Sequence, residues 1–113
     1  MKVLVCGGRD YGDRAHLTQV LDKVHRHRGI TILIQGGAKG ADLMAAQWAR
    51  VRHIPVKEYP AQWEKYGKSA GYRRNRQMLQ EEQPHVVIAF PGGKGTDNMI
   101  ELATKAGVKV YRA

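Results

Sequence analysis

The sequence predicts a three-layer α/β fold, in which a parallel sheet of about five strands carries helices on both faces. Two observations lead to this prediction. Three short apolar runs, rich in β-branched residues, each lead into a pair of glycines, as buried parallel strands followed by tight turns do. Amphipathic helical segments separate these runs, and alternating strands and helices are typical of right-handed βαβ units. We expect one domain spanning residues 1–113.

Five segments are predicted to be strands. The three strongest are Lys2–Cys6, Ile30–Ile34 and Val86–Phe90, whose largely apolar character indicates strands covered on both faces. Pro55–Tyr59 and Val108–Tyr111 are weaker candidates, and we expect the second of them at an edge of the sheet.

Four helices are predicted between the strands. Three of them have apolar residues spaced along one helical face. These stripes are Leu17, Val20, Leu21 and Val24; Leu43, Met44, Trp48 and Val51; and Met99, Ile100, Ala103 and Ala106. Gly107 stands where a glycine commonly ends a helix, and residues 72–82 form the remaining, basic helix. Residues 60–71 are the one long irregular stretch, and such loops are often functional.

The composition is that of an ordinary soluble protein with a marked excess of positive charge. The formal net charge is +9, spread over both halves of the chain. This balance predicts phosphate-rich partners, either small nucleotides or nucleic acid. The single cysteine and the lack of a long apolar run lead us to expect a cytoplasmic protein with no membrane partner.

No cofactor or metal ion is predicted. The five histidines show no metal-ligand spacing with a cysteine or carboxylate partner. Cys6 ends the first strand, where a buried structural thiol is expected rather than a nucleophile.

The glycines that follow the three strongest strands predict a phosphate site. Ligands of open α/β sheets bind beyond the carboxyl ends of the strands. Glycines there let backbone N–H groups approach a phosphate, and the N-terminus of the following helix adds partial positive charge. The predicted binding residues in these turns are Gly7, Gly8, Arg9 and Asp10; Gly36, Gly37, Lys39 and Gly40; and Pro91, Gly92, Gly93, Lys94, Gly95 and Thr96.

Two common nucleotide-binding motifs do not fit these turns. No stretch supplies the Gly-x4-Gly-Lys-Ser/Thr pattern of a P-loop NTPase. The Gly-x-Gly-x-x-Gly fingerprint of dinucleotide-binding folds also fails, because Gln35 stands where its first glycine is needed.

A cluster of basic residues precedes the last strand–helix unit. Arginines at a helix N-terminus interact unfavourably with the helix dipole, so a cluster of them there indicates a nearby anion. Their planar guanidinium groups can bind a phosphate through two parallel hydrogen bonds. We therefore predict that Arg74, Asn75 and Arg76 contact the phosphate or ribose, although Asn75 could instead hold a loop.

Aromatic and acidic residues near these turns leave alternatives open. Trp63, together with Tyr66 and Tyr72, can stack on a base or pack the loop onto the core. Asp10 and Asp42 can bind a ribose hydroxyl or cap a helix, and for Asp42 the cap is favoured.

Four motifs together resemble the SLOG superfamily, and in particular its YspA-like, YpsA-related branch. The motifs are Gly7-Gly8-Arg9-Asp10-Tyr11, Gly36-Gly37-Ala38-Lys39-Gly40-Ala41-Asp42, Gly71-Tyr72-Arg73-Arg74-Asn75-Arg76, and Pro91-Gly92-Gly93-Lys94-Gly95-Thr96. The last looks like the PGGxGT signature of this superfamily, which includes the lonely-guy phosphoribohydrolases and DprA. The resemblance implies a Rossmann-like fold that binds nucleotides or their derivatives.

The same resemblance bears on catalysis. In the phosphoribohydrolases an arginine before the last strand and a glutamate three residues after the signature threonine cleave an N-glycosidic bond. Arg74 or Arg76 matches the arginine, but Met99 occupies the glutamate position. The catalytic candidates are then Arg74 and Glu101, with Asp97 as the other nearby acid. Because this cleavage needs a carboxylate against the sugar, the sequence favours binding over catalysis.

Three functions follow, in order of preference. The first is binding of a phosphate-bearing nucleotide or nucleotide-derived ligand, as a sensor or sequestering module. The second is an N-glycosidase or phosphoribohydrolase, and the third is a DprA-like binder of single-stranded nucleic acid. We expect a homodimer or higher homo-oligomer, because related domains of this size usually pair.

Overall fold

A computed structural model describes residues 1–113 and contains five strands and five α-helices. The strands are β1 (Lys2–Cys6), β2 (Ile32–Gln35), β3 (Val56–Glu58), β4 (Val86–Ala89) and β5 (Lys109–Arg112). The helices are α1 (Arg14–Arg28), α2 (Ala41–Val51), α3 (Trp63–Tyr66), α4 (Ala70–Glu82) and α5 (Lys94–Lys105). None of these helices has the length and apolar character needed to cross a membrane.

The strands form one parallel sheet in the order β3-β2-β1-β4-β5. The chain builds from β1 outwards to β3, then crosses to β4 on the other side of β1. Strand order therefore reverses between β1 and β4, and such a reversal leaves a crevice at the carboxyl ends of the two strands. The predicted α/β fold is confirmed, and β5 lies at an edge as expected.

Each face of the sheet carries its own apolar core. Val3 and Val5 of β1 pack with residues of α1 and α2, whereas Leu4 and Cys6 pack with residues of α4 and α5. Successive side chains of a strand point to opposite faces, so a strand covered on both sides must be apolar throughout. This explains the unbroken apolar runs in the sequence.

Helix α2 buries half of the predicted stripe. Met44 and Trp48 are buried as predicted, but Leu43 and Val51 are exposed, at 47% and 75% of their full surface. Ala41, Ala45 and Ala49 complete the buried face. Small alanine side chains let the helix approach the sheet closely, and Trp48 fills the space that remains.

The stretch predicted to be irregular is largely helical. It contains α3, then a 3₁₀ turn over Gly67–Ser69, and α4 already begins at Ala70. The arginines at 73, 74 and 76 consequently lie beyond the first residues of α4, where the helix dipole acts on them less. Arg73 also packs its guanidinium 4.4 Å from the ring centre of Tyr66.

A buried carboxylate fixes the far end of α4 against the sheet. Glu82 is 3% exposed, accepts a hydrogen bond from the hydroxyl of Tyr59, and lies 3.2 Å from Nζ of Lys57 and 3.7 Å from Nζ of Lys2. The Tyr59 hydrogen bond, with these two lysines, holds the pKa of Glu82 below its usual value. The network joins α4 to β1 and to the β3 region and so helps to set the position of α4, which carries Arg74.

Candidate functional site

A cavity of about 310 Å³ lies at the carboxyl ends of β1 and β4, where the strand order reverses. We call it the central cavity. Its walls come from the turn after β1, from Trp63 of α3, and from the first residues of α4 and α5. The structure brings together here, from the predicted set, Gly7, Gly8, Arg9, Arg74, Asn75, Gly93, Gly95 and Thr96.

The start of α5 contributes backbone donors that no protein atom uses. Its N-cap residue, Gly93, forms no side-chain cap, and the N–H groups of Lys94, Gly95 and Thr96 make no hydrogen bond within the protein. Gly95 and Thr96 line the central cavity. Free N–H groups at a helix start carry partial positive charge and attract anions.

Arg74 is anchored and still has one free nitrogen. Nε donates to Oδ1 of Asn75 at 3.0 Å, and Nη1 donates to the backbone oxygens of Gly36 and Tyr59. Nη2 has no protein partner. Every fully buried side-chain nitrogen or oxygen of this protein has a hydrogen-bond partner, so Nη2 must be accessible to solvent. Burial lowers the pKa of Arg74 and neighbouring Asp42 opposes that shift, but an arginine stays charged at neutral pH.

Asn75 braces Arg74 against α5. It is 5% exposed, and its Nδ2 donates to the backbone oxygen of Gly95 at 3.0 Å and to Oδ1 of Asn98 at 3.1 Å. The alternatives left open by the sequence were a ligand hydroxyl and a loop contact. The structure uses the side chain for the second purpose, to fix the start of α5.

Asp42 does not cap its helix, contrary to the favoured prediction. Its Oδ2 accepts from the backbone N–H groups of Gly36 at 3.2 Å and Ala38 at 3.3 Å, so it closes the turn that precedes α2. Burial raises the pKa of Asp42 to about 6, although these hydrogen bonds and Arg74 oppose the shift. Its Oδ1 has no protein partner and keeps access to solvent, and the residue lines the central cavity.

The turn between β2 and α2 therefore keeps only two free backbone donors, the N–H groups of Lys39 and Gly40. The N–H groups of Gly36 and Ala38 are bound by Asp42, and that of Gly37 donates to Oε1 of Gln35 at 2.5 Å. The N–H of Ala41 reaches the backbone oxygen of Gly8 at 3.3 Å. Three glycines in this turn predicted a phosphate cradle, but the structure directs most of its donors to protein acceptors.

Two glycines of this turn are required by close packing. Gly40 has φ +74, a conformation that other residues rarely adopt, and a Cβ there would collide with the backbone of Gly8 and Arg9. A Cβ at Gly36 would collide with the guanidinium of Arg74. Both glycines let neighbouring groups reach the carboxyl ends of the strands.

Several predicted site residues lie elsewhere. Asp10, Gly36, Gly37 and Lys39 line a second cavity beside the central one. Outside both cavities are Gly40, Arg76, Pro91, Gly92, Lys94 and Glu101. Arg76 is exposed, because residues two apart on a helix point in different directions and Arg74 already faces the cavity.

The structure separates the two catalytic candidates. Arg74 lines the central cavity, whereas Glu101 is exposed on α5 and pairs with Lys105 at 2.9 Å. Asp97 is also exposed and outside both cavities. The carboxylate that does line the central cavity is Asp42.

Sequence reasoning missed Lys68, which lines the central cavity from the 3₁₀ turn. It belongs to no motif, so only the helical path of residues 63–70 brings it to the site. Trp63 and Tyr72 are 48% and 43% exposed at the cavity wall, so neither packs into the core. The guanidinium of Arg9 lies 5.4 Å from the ring centre of Trp63.

Cys6 lies in the cavity floor as an uncharged thiol. Burial and the nearby carboxylate of Asp42 raise its pKa to about 12, despite the opposing charge of Arg74. The thiol is therefore protonated at neutral pH, and it is buried, as expected of a structural cysteine. No group of three His, Cys, Asp or Glu side chains is arranged to hold a metal ion.

Comparison with known proteins agrees with the motifs in the sequence. The model of the YspA, cpYpsA-related SLOG family matches residues 1–66, which include the turns after β1 and β2. The chain is also 35% identical to Gene 61 protein of Mycobacterium phage D29. The alignment has 117 positions and covers 96% of this chain and 93% of that protein. The protein therefore belongs to the YspA, cpYpsA-related SLOG family.

Proposed function

We propose that this protein binds a phosphate-bearing nucleotide, or a ligand derived from one, in the central cavity. One observation carries the proposal: polar groups without protein partners converge there from three elements. They are the N–H groups at the start of α5, Nη2 of Arg74 and Oδ1 of Asp42. The first two suit a phosphate, and the third suits a hydroxyl.

The phosphate end of the ligand would lie between α5 and α4. The N–H groups of Gly95 and Thr96 and the free nitrogen of Arg74 offer donors from two sides of the cavity. Arg9 and Lys68 add positive charge at the same cavity. Hydrogen bonds between ionised partners are about twice as strong as neutral ones, so this end would supply most of the affinity.

The nucleoside end would use Asp42 and the aromatic residues. Oδ1 of Asp42 can accept a hydrogen bond from a ribose hydroxyl, which phosphate groups do not provide at neutral pH. Trp63 and Tyr72 present exposed rings on which a base can stack. Together the two ends define a nucleotide rather than a simple anion.

Family membership supports a nucleotide-type ligand, and the position of the acids favours binding without cleavage. Glu101 and Asp97 lie outside the central cavity, so the expected carboxylate does not reach a bound sugar. We propose that the protein senses or sequesters this ligand. We also propose that it is a cytoplasmic homodimer, and light scattering on the purified protein tests the dimer.

Binding of AMP and GMP, measured by isothermal titration calorimetry, tests the proposal. Arg74→Ala should lower affinity about 10- to 100-fold, the effect of losing a charge-assisted contact. Arg76→Ala is the matched control, since it removes an equal charge from the same helix but outside the cavity, and it should leave affinity unchanged. Equal losses in both variants would point to general charge attraction, and no binding of either nucleotide would overturn the proposal.

The same preparation distinguishes the two alternatives. Release of free adenine or guanine from the nucleotides, lost in Asp42→Asn, would establish an N-glycosidase instead. Binding of an oligothymidylate with a steep dependence on salt, and no response to AMP or GMP, would establish a single-strand binder.

A further inference from the structure

The face of β5 that points towards α1 is open to solvent. Residues two apart on a strand share a face, so Lys109 and Tyr111 project to the same side of the sheet. Both are exposed, Tyr111 at 47% of its full surface. On the other face, Val110 packs against the apolar core that the sheet forms with α4 and α5. The sheet at β5 is therefore covered on one side only.

A groove of about 480 Å³ lies between α1 and this open face, and we call it the α1–β5 groove. Val20, Val24 and Tyr111 form its apolar part. Lys23 and Arg28 also line the groove, and neither of them forms an ion pair within the protein. No carboxylate lines it. Cations around an apolar space attract a partner that carries negative charge beside an apolar group.

The outer edge of β5 is free, because β5 is the last strand of the sheet. On the inner side, the N–H of Ala113 donates to the backbone oxygen of Ala89, next to β4. Backbone N–H groups alternate in direction along a strand, so those of Val110 and Arg112 point outwards. No further strand or loop binds this edge. Such an edge can accept a strand from another chain.

The charges of β5 favour one kind of added strand. Two copies of this chain joined at β5 would bring the Lys109 and Arg112 side chains of both copies together on one short ladder, and the strand has no carboxylate to offset them. Like charges that lie close across paired strands are destabilising, and lysines on edge strands commonly prevent such self-pairing. An acidic strand would instead pair with these two cations, which form no ion pair within the protein. Charge complementarity therefore selects an acidic partner over a second copy, and the proposed homodimer would use another surface.

A nucleic acid would also be attracted by these charges, but two features favour a peptide. The outward N–H groups of β5 match the backbone oxygens of another extended chain. Val20 and Val24 offer an apolar space for a side chain, whereas the phosphates and sugars of a nucleic acid are polar.

We propose that β5 and the α1–β5 groove bind an extended acidic segment of a partner protein, which adds to the sheet beside β5. An apolar side chain of that segment lies in the groove against Tyr111, and acidic side chains two positions before and after it lie near Lys23 and Lys109. Its backbone oxygens accept hydrogen bonds from the N–H groups of Val110 and Arg112. This surface shares no residue with the central cavity, so it serves an interaction beyond nucleotide binding.

An NMR titration with a capped nonapeptide tests the proposal. In the probe, Glu-Thr-Glu-Thr-Leu-Thr-Glu-Thr-Glu, the leucine and the glutamates share one face of an extended strand. Lys23→Glu should weaken its binding about tenfold, because an attractive charge is replaced by a repulsive one. Arg26→Glu is the matched control and should weaken binding far less, since Arg26 is exposed on the same helix but does not line the groove. Serine in place of the leucine of the probe should also weaken binding about tenfold, because the groove then receives no apolar side chain.

A second measurement separates strand addition from charge attraction. The bound probe should slow the hydrogen exchange of the N–H groups of Val110 and Arg112, which point outwards. Arg112→Pro removes one of these donors, and proline is tolerated where the N–H of an edge strand faces solvent. It should bind the probe more weakly than Arg112→Ala, which removes the charge alone. The exchange measurement on the wild-type protein decides the point if the proline variant does not fold.

Selective weakening in Lys23→Glu, together with slowed exchange at β5, would support the proposal. No binding of the probe, or equal losses in Lys23→Glu and Arg26→Glu, would overturn it. Unchanged exchange at Val110 in the presence of bound probe would overturn strand addition. An oligothymidylate that binds more tightly than the probe, and whose binding is lost in Lys23→Glu, would assign the surface to nucleic acid instead.

Discussion

Similar residues form the turn before α2, Gly36-Gly37-Ala38-Lys39-Gly40, and the turn that leads into α5, Pro91-Gly92-Gly93-Lys94-Gly95, whose last two residues are the first two of α5. Both follow a buried strand and open a helix at the same edge of the sheet. In the first turn, Asp42 and Gln35 bind the backbone N–H groups of Gly36, Gly37 and Ala38, and only those of Lys39 and Gly40 remain free. In the second, no side chain does so, and the N–H groups at the start of α5 are free.

The difference shows that a glycine-rich turn can serve packing or a ligand, depending on what its donors reach. The acidic residue decides this: Asp42 lies at the second position of α2 and accepts from the preceding turn. The corresponding residue of α5 is Gly95, which has no side chain to accept. The first turn therefore positions Arg74 and Asp42, and the second faces the proposed phosphate.

The largest expected effect comes from adding a methyl group to the first turn. Gly40→Ala places a Cβ at φ +74 and against the backbone of Gly8 and Arg9, so we expect it to lower the free energy of unfolding by about 3 kcal/mol. Urea unfolding measures this change. Gly93→Ala is the control, since a Cβ there meets nothing within 4 Å and φ is −100. Equal stability of the two variants would contradict the packing role of the first turn.

Next in size is the pH dependence that Asp42 imparts. Its pKa is raised from 3.8 to about 6, so the folded chain retains a proton that the unfolded chain has released. The protonated Asp42 therefore contributes to the free energy of unfolding fully below about pH 4, and this contribution is lost as the pH rises through about 6. The loss is on the order of 2–3 kcal/mol. Asp42→Asn keeps an acceptor for the turn and removes the titration.

The measurement is urea unfolding of wild type and Asp42→Asn at several pH values between about 4 and 7. The difference between the two proteins isolates Asp42, because groups such as Glu82, whose pKa is shifted downwards, titrate in both. We expect wild-type stability to fall relative to the variant as the pH rises over this range. Parallel curves would show that Asp42 has an ordinary pKa.

A methyl group in the second turn should affect binding and not stability. Gly95 lies in the first turn of α5, and a Cβ there has nothing within 4 Å, so Gly95→Ala should raise stability by about 0.5 kcal/mol through helix propensity. Gly95 also lines the central cavity, so the same methyl group would crowd a phosphate bound at the start of α5. Affinity for AMP or GMP should fall about tenfold by calorimetry, equivalent to about 1.4 kcal/mol. Unchanged affinity would place the phosphate away from α5.

The sequence predicted the parallel sheet, the glycine-rich turns at the carboxyl ends of its strands, and the family. These features depend on runs of apolar residues and on glycines, which adopt backbone conformations that other residues rarely adopt. The sequence could not show that side chains bind three backbone donors of the first turn, since that depends on whether the carboxylate of Asp42 reaches back to Gly36. It also could not choose between Arg74 and Arg76. That choice follows from the rotation of α4, which the packing of Met78 and Leu79 into the core sets.

In α2, too, the buried residues differ from the hydrophobic pattern of the sequence, because burial depends on how the helix packs on the sheet. Met44 and Trp48 are buried as predicted, but Leu43 and Val51 are exposed while less hydrophobic alanines of the same helix pack at the core. Hydrophobicity alone therefore misplaces part of the buried face. Close approach of α2 to the sheet needs small side chains, and that requirement is set by the neighbouring strands. Lys68 could not be identified at all, because nothing in its own sequence neighbourhood distinguishes it from other surface lysines.

The smallest expected effect is at Glu101, and it separates the two ends of α5. The helix start carries the free donors, whereas Glu101 is exposed further along and pairs with Lys105 on the following turn. Exposed pairs of this kind contribute little to stability, and this carboxylate does not reach the central cavity. Glu101→Gln should therefore leave both the unfolding midpoint and the affinity for AMP or GMP unchanged. A loss of nucleotide affinity or of base release in this variant would mean that α5 changes position when the ligand binds.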